Sequence, residues 1–180
     1  MRILKNDCVA LMIDFQERLM PHMQGTDLLL EKTKILIQGL QVLEVPVIVT
    51  EQYTKGLGFT VEPLKTLFPE YSGWEKTSFS CYDNGMIVEK LKSFHRKIVI
   101  IAGIEAHVCV MQTATDLLEH GYLPVIVEDC ISSRNLNDKS VALQRLLQTG
   151  AIITTCESIL FELTRFAGND LFKSISKLVK

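Results

Sequence analysis

Residues 98–102, IVIIA, form an unbroken run of apolar, mostly β-branched side chains. A strand with one face in water alternates apolar and polar residues. A run without alternation is buried on both faces, as in a parallel strand covered by helices above and below. Gly103 closes the run, and residues 108–119 then carry a helical apolar pattern (Val108, Val110, Met111, Ala114, Leu117, Leu118) that Gly121 can stop. Similar apolar runs occur at 8–13, 45–50, 123–127 and 151–155. Between and after them, helical patterns cover 26–43, 138–148, 158–166 and 170–179. Residues 74–80 read as a short strand or extended segment, 61–67 as a short helix, and 85–94 as a helix with Asn84 as its N-cap. Strands alternating with helices over short connections predict a doubly wound, three-layer α/β/α fold. Its sheet is mostly parallel, of about six strands, in one domain over residues 1–180.

Composition narrows the function. With 47% hydrophobic and 22% charged residues the chain can bury a sizeable core. A formal net charge of −2 gives no basic footprint for nucleic acid. No apolar run approaches the length needed to span a bilayer, and the opening RILKND leads straight into a strand without a secretory pattern. The five cysteines are odd in number and contain no C-x-x-C pair, which argues against a disulfide framework or a structural zinc and fits a reducing cytoplasm. The four histidines (His22, His95, His107, His120) lack ligand spacing. Gly56 and Gly58 give only a lone G-x-G, so a Rossmann-like sheet is expected here without its dinucleotide fingerprint and without a cofactor.

In doubly wound sheets ligands bind outside the carboxyl ends of the strands. That edge is expected to gather Asp14, the 51–58 loop, Lys76, Cys109 and Asp129. Cys109 falls near the first turn of a helix, where free N–H groups and positive potential favour a thiolate and could stabilise an oxyanion. It could equally be a small buried hydrophobe. Asp14, at the end of a buried strand, is either a local cap or a general base. Phe15, Tyr53, Leu57, Phe59 and Trp74 could line an apolar pocket or belong to the core, and Gln16 and Glu17 follow the candidate base as supporting residues. Cys8, Cys130 and Cys156 read as structural; Cys81, in a polar stretch, has no assigned role.

Three segments taken together, LMIDFQ (11–16), WEKTSFS (74–80) and AGIEAHVCV (102–110), make the chain resemble the isochorismatase-like cysteine hydrolases. That superfamily includes nicotinamidases and N-carbamoylsarcosine amidases, and TEQYTKGLG (50–58) with GIEAHVCV (103–110) makes the resemblance nearest to the isochorismatase domain-containing branch. It implies an Asp–Lys–Cys triad: Cys109 as nucleophile, Asp14 as base, and Lys76 holding Asp14 and helping to keep Cys109 as thiolate. It also implies a non-proline cis peptide between Ile104 and Glu105, aiming the backbone N–H of Glu105, with that of Cys109, into an oxyanion hole. Where nicotinamidases carry an Asp-x-His metal site, EQYTKGLGF has no histidine, so no catalytic metal is expected. A cysteine at 109 favours acyl or amide chemistry over cleavage of the isochorismate vinyl ether. His107 could be a second acid or base; the expectation is a loop or interface histidine pointing away. The resemblance thus implies a metal-independent hydrolase of a small amide, ureido or related C–N substrate, working through a thioester-type intermediate. The alternative is a catalytically idle binding or assembly protein. The expected partners are a small-molecule substrate and other copies of the chain, as a dimer, tetramer or larger homo-oligomer, with neither nucleic acid nor membrane.

Overall fold

A computed structural model describes residues Met1–Lys180. Six strands form one sheet, all parallel, in the order β3-β2-β1-β4-β5-β6. They are β1 (Cys8–Ile13), β2 (Val47–Gln52), β3 (Gly73–Lys76), β4 (Ile98–Ile104), β5 (Leu123–Ser132) and β6 (Ile152–Thr154). The helices are α1 (Thr26–Val42), the short α2 (Thr54–Leu57) and α3 (Glu62–Lys65), α4 (Gly85–Ser93), α5 (Met111–Glu119), α6 (Leu136–Thr149), α7 (Cys156–Thr164) and α8 (Asp170–Val179).

The apolar runs become strands because helices cover both faces of the sheet. Cys8, Ala10 and Met12 of β1 point into a core shared with α1, α7 and α8, while Val9, Leu11 and Ile13 point into a second core with α4, α5 and α6. β4 divides the same way, Ile98, Ile100, Ala102 and Ile104 against Val99 and Ile101. Caps fix the helices where the sequence offers them: Asn84 accepts from the N–H groups of Met86 and Ile87, and Gly150 ends α6 in the left-handed region at φ 103°.

β5 differs from the expected strand. The apolar run stops at Val127, yet β5 continues to Ser132. Its register against β4 jumps from Ile101–Ile126 to Gly103–Ile131, so residues of β5 bulge out between the two pairings. The bulge turns Asp129 away from the functional edge. Its carboxylate accepts from the Cys156 N–H at 2.7 Å, at the start of α7. Asp129 is a structural acceptor, which corrects its expected place at the site.

The strand order reverses direction between β1 and β4, and a crevice opens at such a switch point beyond the strand ends. Asp14 follows β1 and the segment 105–110 follows β4, so both candidates meet at the switch. Gly103 makes the approach possible. A Cβ there would lie 2.7 Å from Ile13 Cβ, 2.9 Å from the Ile13 carbonyl oxygen and 3.0 Å from Val110 Cγ2. Gly103→Ala therefore pushes β1 away from β4 beside Asp14 and is expected to cost about 1–3 kcal/mol, read as a lower urea midpoint. A midpoint equal to wild type would show that the strands can part without cost.

Candidate active site

Three neighbouring strands end in non-glycine residues in the left-handed region: Tyr53 after β2 (φ 35°), Asp14 after β1 (φ 58°) and Glu105 after β4 (φ 56°). Such residues are uncommon, cost of order 1–3 kcal/mol where strained, and cluster at functional edges. Asp is among the residue types that tolerate the region best. Each bend lifts the chain off the sheet and turns the next residues along its edge.

Asp14 is buried, with its side chain 1% exposed, and both of its oxygens are held. Lys76 Nζ donates to Oδ2 at 2.7 Å, and the Thr50 hydroxyl donates to Oδ1 at 2.9 Å. Lys76 comes from the end of β3, and its ammonium also donates to Gln52 Oε1 (2.9 Å) and to the carbonyls of Ser78 and Phe79 (both 3.2 Å). Burial works against its charge, and the Asp14 carboxylate more than offsets this; the ammonium is held above its ordinary value. Asp14 caps no helix and makes a buried ion pair instead.

Cys109 lies in a single π-helical turn, Ala106–Val110, that leads into α5. Such wide turns recur at functional positions. The residue is 5% exposed. Burial pushes its thiol up, the Asp14 carboxylate pushes the same way as charge and as hydrogen-bond acceptor, and Lys76 pulls it down without prevailing. This corrects the expected thiolate. The Lys76–Asp14 pair is already neutral overall, so ionising Cys109 would leave a net buried negative charge, which is costly. The resting arrangement is a thiol facing a carboxylate that is held by an ammonium.

Cys81 joins this group, and nothing in its polar sequence surroundings signals it. The 3-10 turn Cys81–Asp83 tucks the side chain inward, 1% exposed. Its sulfur lies 3.8 Å from Thr50 Oγ1, and its N–H donates to Thr113 Oγ1 at 2.9 Å. Burial, followed by the Asp14 charge, pushes this thiol up to about 11. Thr50 was equally silent as the last residue of an apolar run.

The peptide between Ile104 and Glu105 is trans, as are all others in the chain, and this corrects the expected cis bond. The turn is made instead by Glu105 in the left-handed conformation, closed by Val108 N–H donating to the Glu105 carbonyl at 2.8 Å. The Glu105 side chain is buried. Arg134 Nε donates to its Oε1 at 2.8 Å, while Oε2 has no hydrogen-bond partner and lies 3.6 Å from His107 Nδ1. His107 pairs with Ser133 Oγ at 3.0 Å and stands 4.0 Å from Asp138 Oδ2.

The remaining pocket candidates separate. Phe15 is fully buried in the core with α1 and α7. Gln16 is buried too: its amide donates to the Gln52 and Gly58 carbonyls and accepts the Gln52 N–H, tying β1 to the 52–58 loop. Neither lines an open surface, a correction that follows from the chain diving back into the core after Asp14. Tyr53 and Phe59 stand exposed, Leu57 and Trp74 are half-buried, and Trp74 packs on the second core. Phe79, beside Lys76, is also exposed. No group of three or more His, Cys, Asp or Glu side chains comes together to hold a metal ion.

Residues 8–158 match the isochorismatase domain family. The chain is 40% identical over 184 residues to isochorismatase family protein 1B of Dictyostelium discoideum, covering 99% of this chain and 89% of that protein. Among solved structures, a MAR1 ribonuclease from Caenorhabditis elegans is 37% identical with a TM-score of 0.92, over 99% of this chain and 92% of that one. The YcaC gene product of Escherichia coli, described as an octameric hydrolase of unknown specificity, is 28% identical with a TM-score of 0.93, over 98% and 88%.

Proposed function

Since the chain belongs to the isochorismatase family, we propose that it is a metal-independent cysteine hydrolase of a small amide, ureido or related C–N substrate, with Asp14, Lys76 and Cys109 as its triad. The observation that carries this reading is the fully buried Lys76–Asp14 pair beside the buried Cys109 thiol, which burial and the Asp14 carboxylate push up. A buried ion pair is poor value for stability alone, but a carboxylate beside a thiol is a base waiting for the moment of attack.

As the Cys109 sulfur closes on the substrate carbonyl carbon, the thiol proton passes to Asp14 and the sulfur pair forms the C–S bond. Oxygen takes the carbonyl π pair, and the backbone N–H groups of Glu105 and Cys109 receive the oxyanion, aimed by the left-handed bend at Glu105 in place of a cis bond. The C–N bond then breaks, its pair leaves with nitrogen, and Asp14 returns the proton to that nitrogen. Water attacks the thioester with Asp14 again taking the proton, and Cys109 leaves as thiol. Lys76 stays an ammonium throughout and holds the carboxylate in place. Tyr53, Leu57, Phe59 and Phe79 are the side chains best placed to contact substrate. A homo-oligomer is proposed by analogy with the octameric bacterial relative. The reduced cysteines fit a cytoplasmic setting, and no helix is long and apolar enough to cross a membrane.

The test is turnover of a panel of amides, ureides and a structured RNA, with intact-mass detection of an acyl adduct. Amide or ureide hydrolysis with an adduct on Cys109 is expected; Cys109→Ala should lose both, and Asp14→Asn should slow turnover about 10²–10⁴-fold. Hydrolysis of RNA alone, or turnover unchanged in Cys109→Ala, would overturn the reading. A chain that turns over nothing and forms no adduct would leave the idle binding protein standing.

A further inference from the structure

We propose that Thr50 and Cys81 form a reversible hydrogen-bond relay that lets the buried Asp14 hold the proton it takes from Cys109. The inference rests on the triad reading above and concerns two residues outside it.

Asp14 must alternate between a carboxylate and a carboxylic acid at a place water does not reach, with its side chain 1% exposed. As a carboxylate it accepts from Lys76 and from the Thr50 hydroxyl. A threonine hydroxyl has one proton and two lone pairs. While that proton points at Asp14 Oδ1, a lone pair is free for the Cys81 S–H, 3.8 Å away. The resting chain runs Cys81 to Thr50 to Asp14, each group donating to the next.

Oδ2 faces the Lys76 ammonium, which only donates, so Asp14 keeps the proton it takes up on Oδ1, and when that proton turns toward Thr50 it faces the one Thr50 carries. Two donors cannot share a bond, and a buried unmade one is expensive. Thr50 can turn its proton only to a group that accepts. Cys81 qualifies, because thiol sulfur is both a weak donor and a weak acceptor. The chain then runs Asp14 to Thr50 to Cys81, and only the weak S–H donor of Cys81 loses its acceptor. No atom moves except hydroxyl and thiol hydrogens.

Two further observations place Cys81 for this task. Its backbone is pinned through Thr113, one helical turn beyond Cys109 on α5, so its sulfur is fixed independently of the relay. Behind it lies a small hollow lined mostly by apolar side chains, among them Leu11, Ile87, Leu91 and Leu117, with Thr113 as its polar member. The titratable groups around Asp14 are Lys76 from β3, Cys81 from the 3-10 turn and Cys109 from the turn after β4; Lys76 alone carries positive charge. An ammonium only donates, so it cannot serve as the switching partner. Thr50 and Cys81 are positioning residues.

The relay can be tested before the substrate is known, with acrylamide as a neutral probe. The Cys109 sulfur adds to its terminal carbon, the alkene π pair moves to the neighbouring carbon, and that carbon receives the proton held by Asp14. The rate of adduct formation at Cys109, read by peptide mass, therefore reports the base. Thr50→Val is expected to slow it at least tenfold and Thr50→Ser to restore it to within about threefold. Cys81→Ala should slow it about threefold to tenfold. Cys81→Ala reacting at the wild-type rate overturns the relay, and so does Thr50→Ser as slow as Thr50→Val. Asp14→Asn separates the two layers. If it labels slowly while Cys81→Ala labels normally, the triad stands and the relay falls; if it labels at the wild-type rate, both fall. Cys81→Ala keeps the proposal falsifiable should Thr50→Val fail to fold.

Discussion

Lys76→Met is expected to lower stability by about 3–5 kcal/mol, because it leaves the Asp14 carboxylate buried without its counter-charge. Methionine matches the length of the lysine stem, so little packing is lost, and the effect reports charge. For a chain of this size each kcal/mol moves the melting midpoint by roughly 2–4 °C, which predicts a drop on the order of 10 °C. The companion variant is Asp14→Asn, which keeps a side chain that tolerates the left-handed backbone at 14 but strands the Lys76 ammonium. Each single change should be costly, and Lys76→Met combined with Asp14→Asn should recover much of the loss, because no unpaired charge remains. A double-mutant cycle with a coupling of several kcal/mol is the expected result. If Lys76→Met melts within about 2 °C of wild type, water reaches the pair and the description of a dry ion pair is wrong. The stable double variant should also be inactive, which separates the fold's requirements from those of the chemistry.

Stability is also expected to fall steeply in mild alkali. Four buried thiols have folded-state values above the ordinary 9.0: burial, with the Asp7 charge next, pushes Cys8 up to about 12, Cys81 rises to about 11, and Cys109 and Cys130 are raised by burial as well. Below pH 9 both folded and unfolded chains keep these protons, and the stability is fully present. Above pH 9 the unfolded chain releases them while the folded chain holds them. Unfolding then releases protons, and stability falls as pH rises toward the folded values. Each thiol contributes about 1.4 kcal/mol per pH unit in that window, so the four together give a slope of about 5.6 kcal/mol per unit. Urea unfolding with a reductant present at pH 8, 9 and 10 measures it, and Cys8→Ala should flatten the slope by about a quarter. A stability that is level from pH 8 to 10 would mean that these thiols ionise in the folded protein as readily as in water.

The sheet was readable because burial on both faces leaves a mark in the chain itself: 8–13 and 98–102 contain no polar residue to place in water. The triad candidates were readable as a set, because Asp14 and Cys109 each follow such a run and WEKTSFS completes the resemblance. What escaped was decided by contacts distant in sequence. Cys81 belongs to the site because a 3-10 turn folds it against Thr50 and Thr113, some thirty residues away on either side. Asp129 left the site because β5 bulges against β4, and a bulge shifts which side chains face which way. The Cys109 thiol is pushed up by burial and a neighbouring carboxylate, a balance that depends on what surrounds it in the fold. Glu105 turns the chain through a left-handed φ at a residue type that gives no hint of it.

β3 is an edge strand of four residues, paired on one side only, and its last residue is Lys76. Edge segments of this kind open locally at a small fraction of the free energy of global unfolding. Here such an excursion would carry the ammonium away from Asp14 and let water into both, so the edge cannot fray without dismantling the charge arrangement. The cost of separating that pair is added to the few backbone bonds of β3 and acts as a latch on the rim of the sheet. Amide hydrogens of β3 are therefore expected to exchange more slowly than those of β6, the three-residue strand at the opposite rim that carries no such pair. In Lys76→Met the two rims should exchange alike.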